Sequence, residues 1–398
     1  MTASRIVPDP RTVEPLPLGV NLIHIGPQKT GSTAIQGVMH HAREQLAELG
    51  VVYPGPTMRP LAAGAEIGFS VPRGKAAARP GAWDRLVAQV AQPGDRRVCI
   101  SHEAFGRATR AQVDRIVGEL GGERPHVLAV LRRYDSYLPS QWQQRVKAGE
   151  LRSYDDWLRV VLEGSRGDYA WRNVWMPHDT VGLVRRWGER VGRENITLLV
   201  GDDADRTLLP DVFERLLGLP GGSLHGESGN GANRSLSYPE TELLRSTMAY
   251  FAEQELPDEM AYRLLHRGMT SALVKSPYPD GERRIPPLPD WAHDRVVELS
   301  EARIAGLREA GVRILGDLEN LRVAPRGPGD GQQADEVETI SMVTAQRAVQ
   351  GLVKGAMWKP PTAAAGQVPS AAGAAASPAS PTPPVGLSAR VRRRLRRR

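Results

Sequence analysis

Apolar positions in the first third of the chain alternate between short unbroken runs and helical spacing. Val20 to Gly26 (VNLIHIG) is a run of apolar and β-branched residues closed by glycine, the mark of a short buried strand. A Gly/Lys/Thr/Ser loop follows. Then Ala34, Ile35, Val38, Met39, Ala42, Leu46 and Leu49 keep a helical period, with Gly50 placed to end it. Val51 to Tyr53 reads as a second strand, stopped by Pro54-Gly55, and residues 56–80 read as loop. A helix over Trp83 to Val90, a strand over Arg97 to Ser101, a helix near 110–120, a strand over His126 to Leu131 and a helix over Asp135 to Lys147 complete the pattern. Strands alternating with helices predict an α/β fold, a central parallel sheet flanked by helices on both faces.

The second half is mainly helical: Tyr154 to Leu162, Val181 to Val191, Pro210 to Leu217, Glu240 to Ala252 and Trp291 to Leu307, with one clear strand at Ile196 to Val200. Pro210 suits a first helical position and Gly218 a stop. Residues 164–180 and 255–290 show no sustained period. Near residue 323 a Pro/Gly-rich linker begins, and one more helix is expected over Glu336 to Met357. The expected organisation is an extension over 1–19, an α/β domain over 20–322, a linker and C-terminal helix over 323–358, and a tail over 359–398. Residues 360–389 carry no charge and are rich in Ala, Pro, Ser and Gly. Such a segment cannot bury enough apolar surface to order itself, so the tail is expected to be disordered.

Composition narrows the class. With 398 residues, 40% hydrophobic and 24% charged, the chain has material for one large or two medium domains. A single cysteine, Cys99, excludes an intramolecular disulfide and a Cys-rich metal site. No run approaches eighteen apolar residues and the N-terminus has no apolar signal region, so a cytoplasmic protein is expected. The net charge of +7 is located at one end: Arg390 to Arg398 hold seven arginines and no acid, and without them 45 basic face 45 acidic side chains. That cluster would attract a polyanion or an anionic membrane, as a tether to the inner membrane face, rather than a specific nucleic acid.

The chemistry concentrates in Gly26-Pro27-Gln28-Lys29-Thr30-Gly31-Ser32-Thr33, between the first strand and its helix. At the C-terminal edge of a parallel sheet such a loop wraps a phosphate with backbone N–H groups, and the helix N-terminus adds donors and partial positive charge. It is not a Walker A loop. Gly26 and Gly31 have that spacing, yet Ser32 stands where the lysine belongs and the cation comes earlier, at Lys29. The strand ending in Arg132-Arg133 offers no Walker B acid. Arg132 at a strand end and Ser140 eight residues on, in a helix, suit a second phosphate.

Together the two stretches resemble PAPS-dependent sulfotransferases, which use 3′-phosphoadenosine-5′-phosphosulfate. HIGPQKTGST looks like their 5′-phosphosulfate loop, and Arg132-x7-Ser140 like their 3′-phosphate site. Gly50-Val51-Val52-Tyr53-Pro54, Arg186-Trp187 with Gly192-Arg193-Glu194-Asn195-Ile196, and Asn233-Arg234-Ser235-Leu236-Ser237 resemble the bacterial carbohydrate-type branch. The resemblance spans residues 20 to 320 and implies a sulfotransferase fold with a P-loop-type sheet. It departs from the family in two places. Ala34 and Ile35 stand where an adenine-stacking tryptophan is common, and the late Arg-Lys-Gly phosphate segment is missing, with Asn233-Arg234-Ser235 as a substitute.

The resemblance implies transfer of a sulfuryl group from PAPS to a hydroxyl or amine of a carbohydrate, glycolipid or small-molecule acceptor, with no metal required. Lys29 would neutralise the bridging oxygen. Gln28, Lys29, Thr30, Gly31, Ser32 and Thr33 would hold the 5′-phosphate, and Arg132 and Ser140 the 3′-phosphate. A general base is expected just past the strand Arg97 to Ser101, with Glu103 favoured by the branch and His102 by its ordinary pKa near 6.5. Two other readings stay open: a P-loop kinase-like phosphotransferase, and a polyanion- or membrane-binding protein acting through its tail.

Overall fold

Seven strands lie side by side, β1 (Arg5–Val7), β2 (Asn21–His24), β3 (Val51–Val52), β4 (Arg97–Ser101), β5 (Pro125–Leu131), β6 (Ile196–Val200) and β7 (Arg313–Leu315). Their order is β1-β7-β6-β5-β2-β4-β3, and every pairing is parallel. The structure is a computed structural model that describes residues 3–70, 79–91, 94–165, 167–226, 234–326 and 337–358. The expected disordered tail over 359–398, with its arginine cluster, lies outside the described residues.

The α-helices are α1 (Ser32–His41), α2 (Arg43–Glu48), α3 (Leu61–Glu66), α4 (Ala82–Val90), α5 (Arg110–Leu120), α6 (Tyr134–Lys147), α7 (Tyr154–Glu163), α8 (Tyr169–His178), α9 (Thr180–Val191), α10 (Leu208–Leu217), α11 (Tyr238–Glu253), α12 (Asp258–Ala261), α13 (Ser271–Lys275), α14 (Asp290–Arg308) and α15 (Met342–Met357). The chain divides into two compact units. One holds Met1–Gln141, Tyr154–Ala232 and Pro287–Ala334, and the other Trp142–Ser153, Asn233–Pro286 and the described residues after Asp335.

In the first unit both faces of the sheet are covered, which is why its strands read as nearly continuous apolar runs. Ile23, Ile100, Val127, Ala129 and Leu198 point to one face, against Trp187 of α9 and residues of α4, α5 and α14. Leu22, Cys99, Leu128, Val130 and Leu199 point to the other, against Ile35 and Met39 of α1 and Phe213 and Leu216 of α10. The connections from β2 run toward β4 and β3, while those from β5 run toward β6 and β7. The crevice beyond the C-terminal ends of β2 and β5 is therefore the topological switch point, where ligands of open α/β sheets bind.

The structure differs from the sequence reading in several places. Residues 1–19, read as an extension, supply β1, and β7 pairs with it through Arg5 and Arg313. Three-residue strands leave no period to detect. The long helix expected from Ala34 to Leu49 is broken at Ala42, which ends α1 and begins α2. Pro210 is the third residue of α10, still within the first turn, where no intrahelical N–H bond is lost. Residues 56–80, 164–180 and 255–290, read as loop or irregular, contain α3, α8, and a run of α12, a π-helix (Tyr262–Thr270) and α13. The buried positions of α8 include Asn173, Pro177 and His178, so its inner face does not read as apolar.

In the second unit, Gln143 clamps Leu236, donating to its carbonyl at 2.7 Å and accepting from its N–H at 3.2 Å. Ser237 caps α11 in a capping box with Glu240. Glu240, fully buried, takes a two-pronged ion pair from Arg234 at 2.7 Å for each prong.

Candidate functional site

Beneath the loop lies a small polar cluster on the sheet. His24, the last residue of β2, is fully buried, and its Nδ1 lies 2.7 Å from Ser101 Oγ, which also accepts from Gln36 at 2.8 Å. Burial pushes the His24 pKa down to about 3, so its ring is neutral. Past it, Gly26 turns the chain with φ 84°. A Cβ there would come within 3.0 Å of Glu103 Cα, so only glycine lets the loop approach the end of β4 this closely.

The crown of the loop closes on itself. Thr30 Oγ1 donates to the Pro27 carbonyl at 2.8 Å and lies 3.3 Å from Ser32 Oγ. Lys29 holds a left-handed φ of 68°, uncommon outside glycine. Gly31, at φ 88°, is the N-cap of α1 and has no side chain with which to cap it. The N-terminus of α1 therefore has no side-chain cap, the arrangement that leaves helix N–H groups available to an anion.

Arg132 carries the end of β5 to this loop. Its Nη1 donates to the Lys29 carbonyl at 2.9 Å and its Nε to Asp203 at 2.9 Å. Behind it, the buried Arg303 of α14 donates to the Arg132 carbonyl at 2.9 Å and to Thr180 Oγ1 at 3.0 Å, with its guanidinium 4.6 Å from the Tyr134 ring centre. The half-buried Lys29 ammonium has its pKa lowered, chiefly by desolvation and then by the Arg132 charge, with Glu103 opposing the shift.

A cavity of about 540 Å³ opens at this edge, ordinary for a small-molecule site. Lys29, Thr30, Gly31 and Arg132 line it. Gln28, Ser32, Thr33, Ser140, His102 and Glu103 are not among its lining residues. Ser32 is buried at the start of α1, Thr33 is exposed beside it, and Ser140 is half-buried in the second turn of α6.

The two base candidates have different surroundings. His102 is 3% exposed, stacks on Phe105 at 4.8 Å, and accepts through Nδ1 from the Ala104 N–H at 3.1 Å as the cap of a 3-10 turn, Glu103–Arg107. Burial, then Arg59 and Arg107, push its pKa down to about 3. A ring so lodged has no Nδ1 lone pair to offer an acceptor. Glu103 is also buried. Its Oε2 accepts from Arg59 at 2.7 Å, and its charge reaches Lys29.

The cavity also holds residues that sequence reasoning missed. The loop after β6 contributes Asp202, Asp203, Asp205 and Arg206, and His225 stands on the same wall. The signal was present as a charged run directly after the strand ITLLV, at another C-terminal strand end. Asp205 is tied to Arg11 at 2.6 Å, which holds its carboxyl down at about 2. Among the described residues, Asp211, Glu214 and His225 bring metal-ligating atoms within 4.8 Å of one another. Their oxygens are already engaged. Asp211 accepts from Arg11 and lies 2.6 Å from the His225 ring nitrogen, and Glu214 accepts the N–H groups of Gly222 and Leu224. This is the pattern of an ion-pair network.

Of the remaining candidates, Arg234 has both of its Nη groups on Glu240, and Asn233 lies outside the described residues. Among the described residues no helix is long and apolar enough to cross a membrane.

No protein-family model matches the chain, and no curated protein matches it. A solved sulfotransferase from Alicyclobacillus acidocaldarius is similar at 16% identity and a TM-score of 0.38, over 65% of this chain and 99% of that one. Two folds this loosely superposed do not pass residue roles from one to the other.

Proposed function

We propose that the chain transfers a sulfuryl group from PAPS to a hydroxyl or amine of a carbohydrate, glycolipid or small-molecule acceptor. The observation that carries this reading is the bond between Arg132 and the Lys29 carbonyl. It ties a lysine-bearing loop, an uncapped helix N-terminus and a strand-end arginine into one cation-rich corner. That corner fits two phosphates on one nucleotide, since each takes its own set of donors. The loop amides from Gln28 to Gly31, with Ser32 and Thr33, hold the 5′-phosphate, and Arg132 with Ser140 holds the 3′-phosphate.

During transfer the bond from sulfur to the phosphate oxygen breaks as the bond from sulfur to the acceptor oxygen or nitrogen forms. Lys29 stabilises the charge that collects on the departing phosphate oxygen. Glu103 accepts the acceptor's proton. Its position against Gly26, and the capping role of His102, favour it of the two.

A calorimetric titration of PAP, the desulfated product, tests the reading. PAP is expected to bind with EDTA present and to bind weakly to Arg132→Ala. Lys29→Ala is expected to keep PAP binding within about tenfold yet lose transfer in an acceptor screen with radiolabelled PAPS, since its charge matters most as the leaving group departs. Full transfer by Lys29→Ala would overturn the assignment. One observation favours a second reading, metal-dependent phosphoryl transfer. Asp202, Asp203 and Asp205 share the cavity with the loop and could hold magnesium against a nucleotide triphosphate. That reading requires ATP binding that EDTA abolishes.

A further inference from the structure

Helix α15, in the second unit, is built with its faces reversed. Its buried positions are Thr344, Ala348, Gly351 and Gly355, spaced i, i+4, i+7 and i+11 along one stripe. The contact they make is backbone on backbone. A Cβ on Gly351 would lie 2.7 Å from Met269 Cα, and one on Gly355 2.4 Å from the Arg263 carbonyl oxygen. No large side chain fits on that face. The large ones point outward instead: Met342 is 83% exposed, Val349 58%, Val353 52% and Met357 75%. These four share the opposite stripe, with Val343 beside it. Of thirteen exposed large hydrophobic residues among those described, six fall between Ile340 and Met357, so this is a patch and not the ordinary scatter of apolar atoms on a surface.

Charge identifies what covers it. From Met342 to Arg398 the sequence has ten basic side chains and no acidic one: Arg347, Lys354, Lys359 and the seven arginines of the terminus. Two further cations stand at the end of the helix. Arg263 donates to the Ala356 carbonyl, and Arg267 lies 4.9 Å from the Trp358 ring centre. A second copy would bring two such positive segments together and be repelled. A soluble polyanion would meet the charge and leave the apolar stripe in water. An anionic lipid surface satisfies both, with Met and Val side chains entering the acyl boundary, Trp358 at headgroup depth and the arginines on the phosphates.

We propose that the outer face of α15, acting with the arginine-rich terminus, is a docking surface for anionic phospholipid membranes. The proposal is independent of the chemistry in the cavity. One weak signal gives marginal, reversible membrane binding and two give stable anchoring, so each half alone is expected to bind poorly.

The test is co-sedimentation of the full chain with vesicles of phosphatidylglycerol and phosphatidylcholine, and with phosphatidylcholine alone. The wild type is expected to partition onto the anionic vesicles only. Val349→Asp with Val353→Asp, at exposed sites, is expected to lower that partition by about tenfold or more with unchanged circular dichroism. Replacing the seven terminal arginines with glutamine in the full chain is expected to do the same. Undiminished partition of the Val349→Asp/Val353→Asp variant would overturn the role of the helix face, as would equal partition onto neutral vesicles. So would binding to heparin while the anionic vesicles go unbound, or a dimer in sedimentation equilibrium that the same variant dissolves while vesicles go unbound.

Discussion

Asp203 distinguishes the two enzymatic readings by sign. Its carboxylate accepts from Arg132 Nε at 2.9 Å on the wall of the cavity that holds Lys29. For sulfuryl transfer, Asp203 competes with a phosphate for the Arg132 guanidinium. For metal-dependent phosphoryl transfer, it is a ligand. The substitution Asp203→Asn removes one negative charge and keeps the shape. Two unit charges 4 Å apart interact by about 1 kcal/mol in water and about 4 kcal/mol at an effective dielectric near 20. The Asp203 side chain is 46% exposed and that of Arg132 25%, so the screened end of that range applies. Stability is therefore expected to change by less than about 1 kcal/mol. PAP affinity with EDTA present is expected to rise by about fivefold, the equivalent of roughly 1 kcal/mol. Isothermal titration with PAP in EDTA, and with ATP in magnesium, reads both. Asp202→Asn serves as control, because its carboxylate accepts from the Ala204 N–H instead. Unchanged or weaker PAP binding in Asp203→Asn would refute the competition. Loss of ATP binding that had depended on magnesium would favour the metal site.

Glu103→Gln is expected to lower kcat by about 10²- to 10⁴-fold while PAP binds within a few-fold of wild type; an equal loss of binding would make Glu103 a support of the loop instead of a proton acceptor. Gly26→Ala must hold φ 84° with a Cβ 3.0 Å from Glu103 Cα, and is expected to lose about 2 kcal/mol or more in urea denaturation; an unchanged midpoint would contradict the close approach. Acid should unfold the chain early. His24, His102 and His126 are buried with pKa values pushed down to about 3, below the unfolded value near 6.5. The unfolded state therefore takes up protons first, and stability present above pH 6.5 falls by up to about 1.4 kcal/mol per pH unit for each as pH drops toward 3. Denaturant melts between pH 7.5 and 4.5 read this, and a flat profile would contradict the burial of these rings.

Much of the fold was legible because its signals are local. β2, β4, β5 and β6 are apolar runs whose composition alone marks them, since a parallel strand covered on both faces has no polar side. The loop from Gly26 to Thr33 was legible because glycine, lysine and hydroxyls between a strand and a helix form a local motif. α8 buries Asn173, Pro177 and His178 among its apolar residues, and the run from α12 to α13 passes through a π-helix whose spacing departs from 3.6, so no helical period announced them. α15 shows the same blindness in reverse. Its apolar residues have a helical period, yet the face they mark is the exposed one, because the contact beneath is made by glycine backbones.

By itself the sequence determined that this chain builds an α/β sheet with a lysine-bearing glycine loop after β2 and an arginine at the end of β5, since both follow from neighbours along the chain. Only the tertiary structure decided which strands lie side by side. Strand order depends on pairings as distant as Arg5 with Arg313, and residue spacing carries no record of them. It decided that Arg132 bonds the Lys29 carbonyl, 103 positions away, that three aspartates share their cavity, and that His102 is lodged as a cap beside Glu103. The physical reason is the same in each case. A side chain's charge and reach are written in its identity, but its partners are set by which backbone segments the sheet brings together.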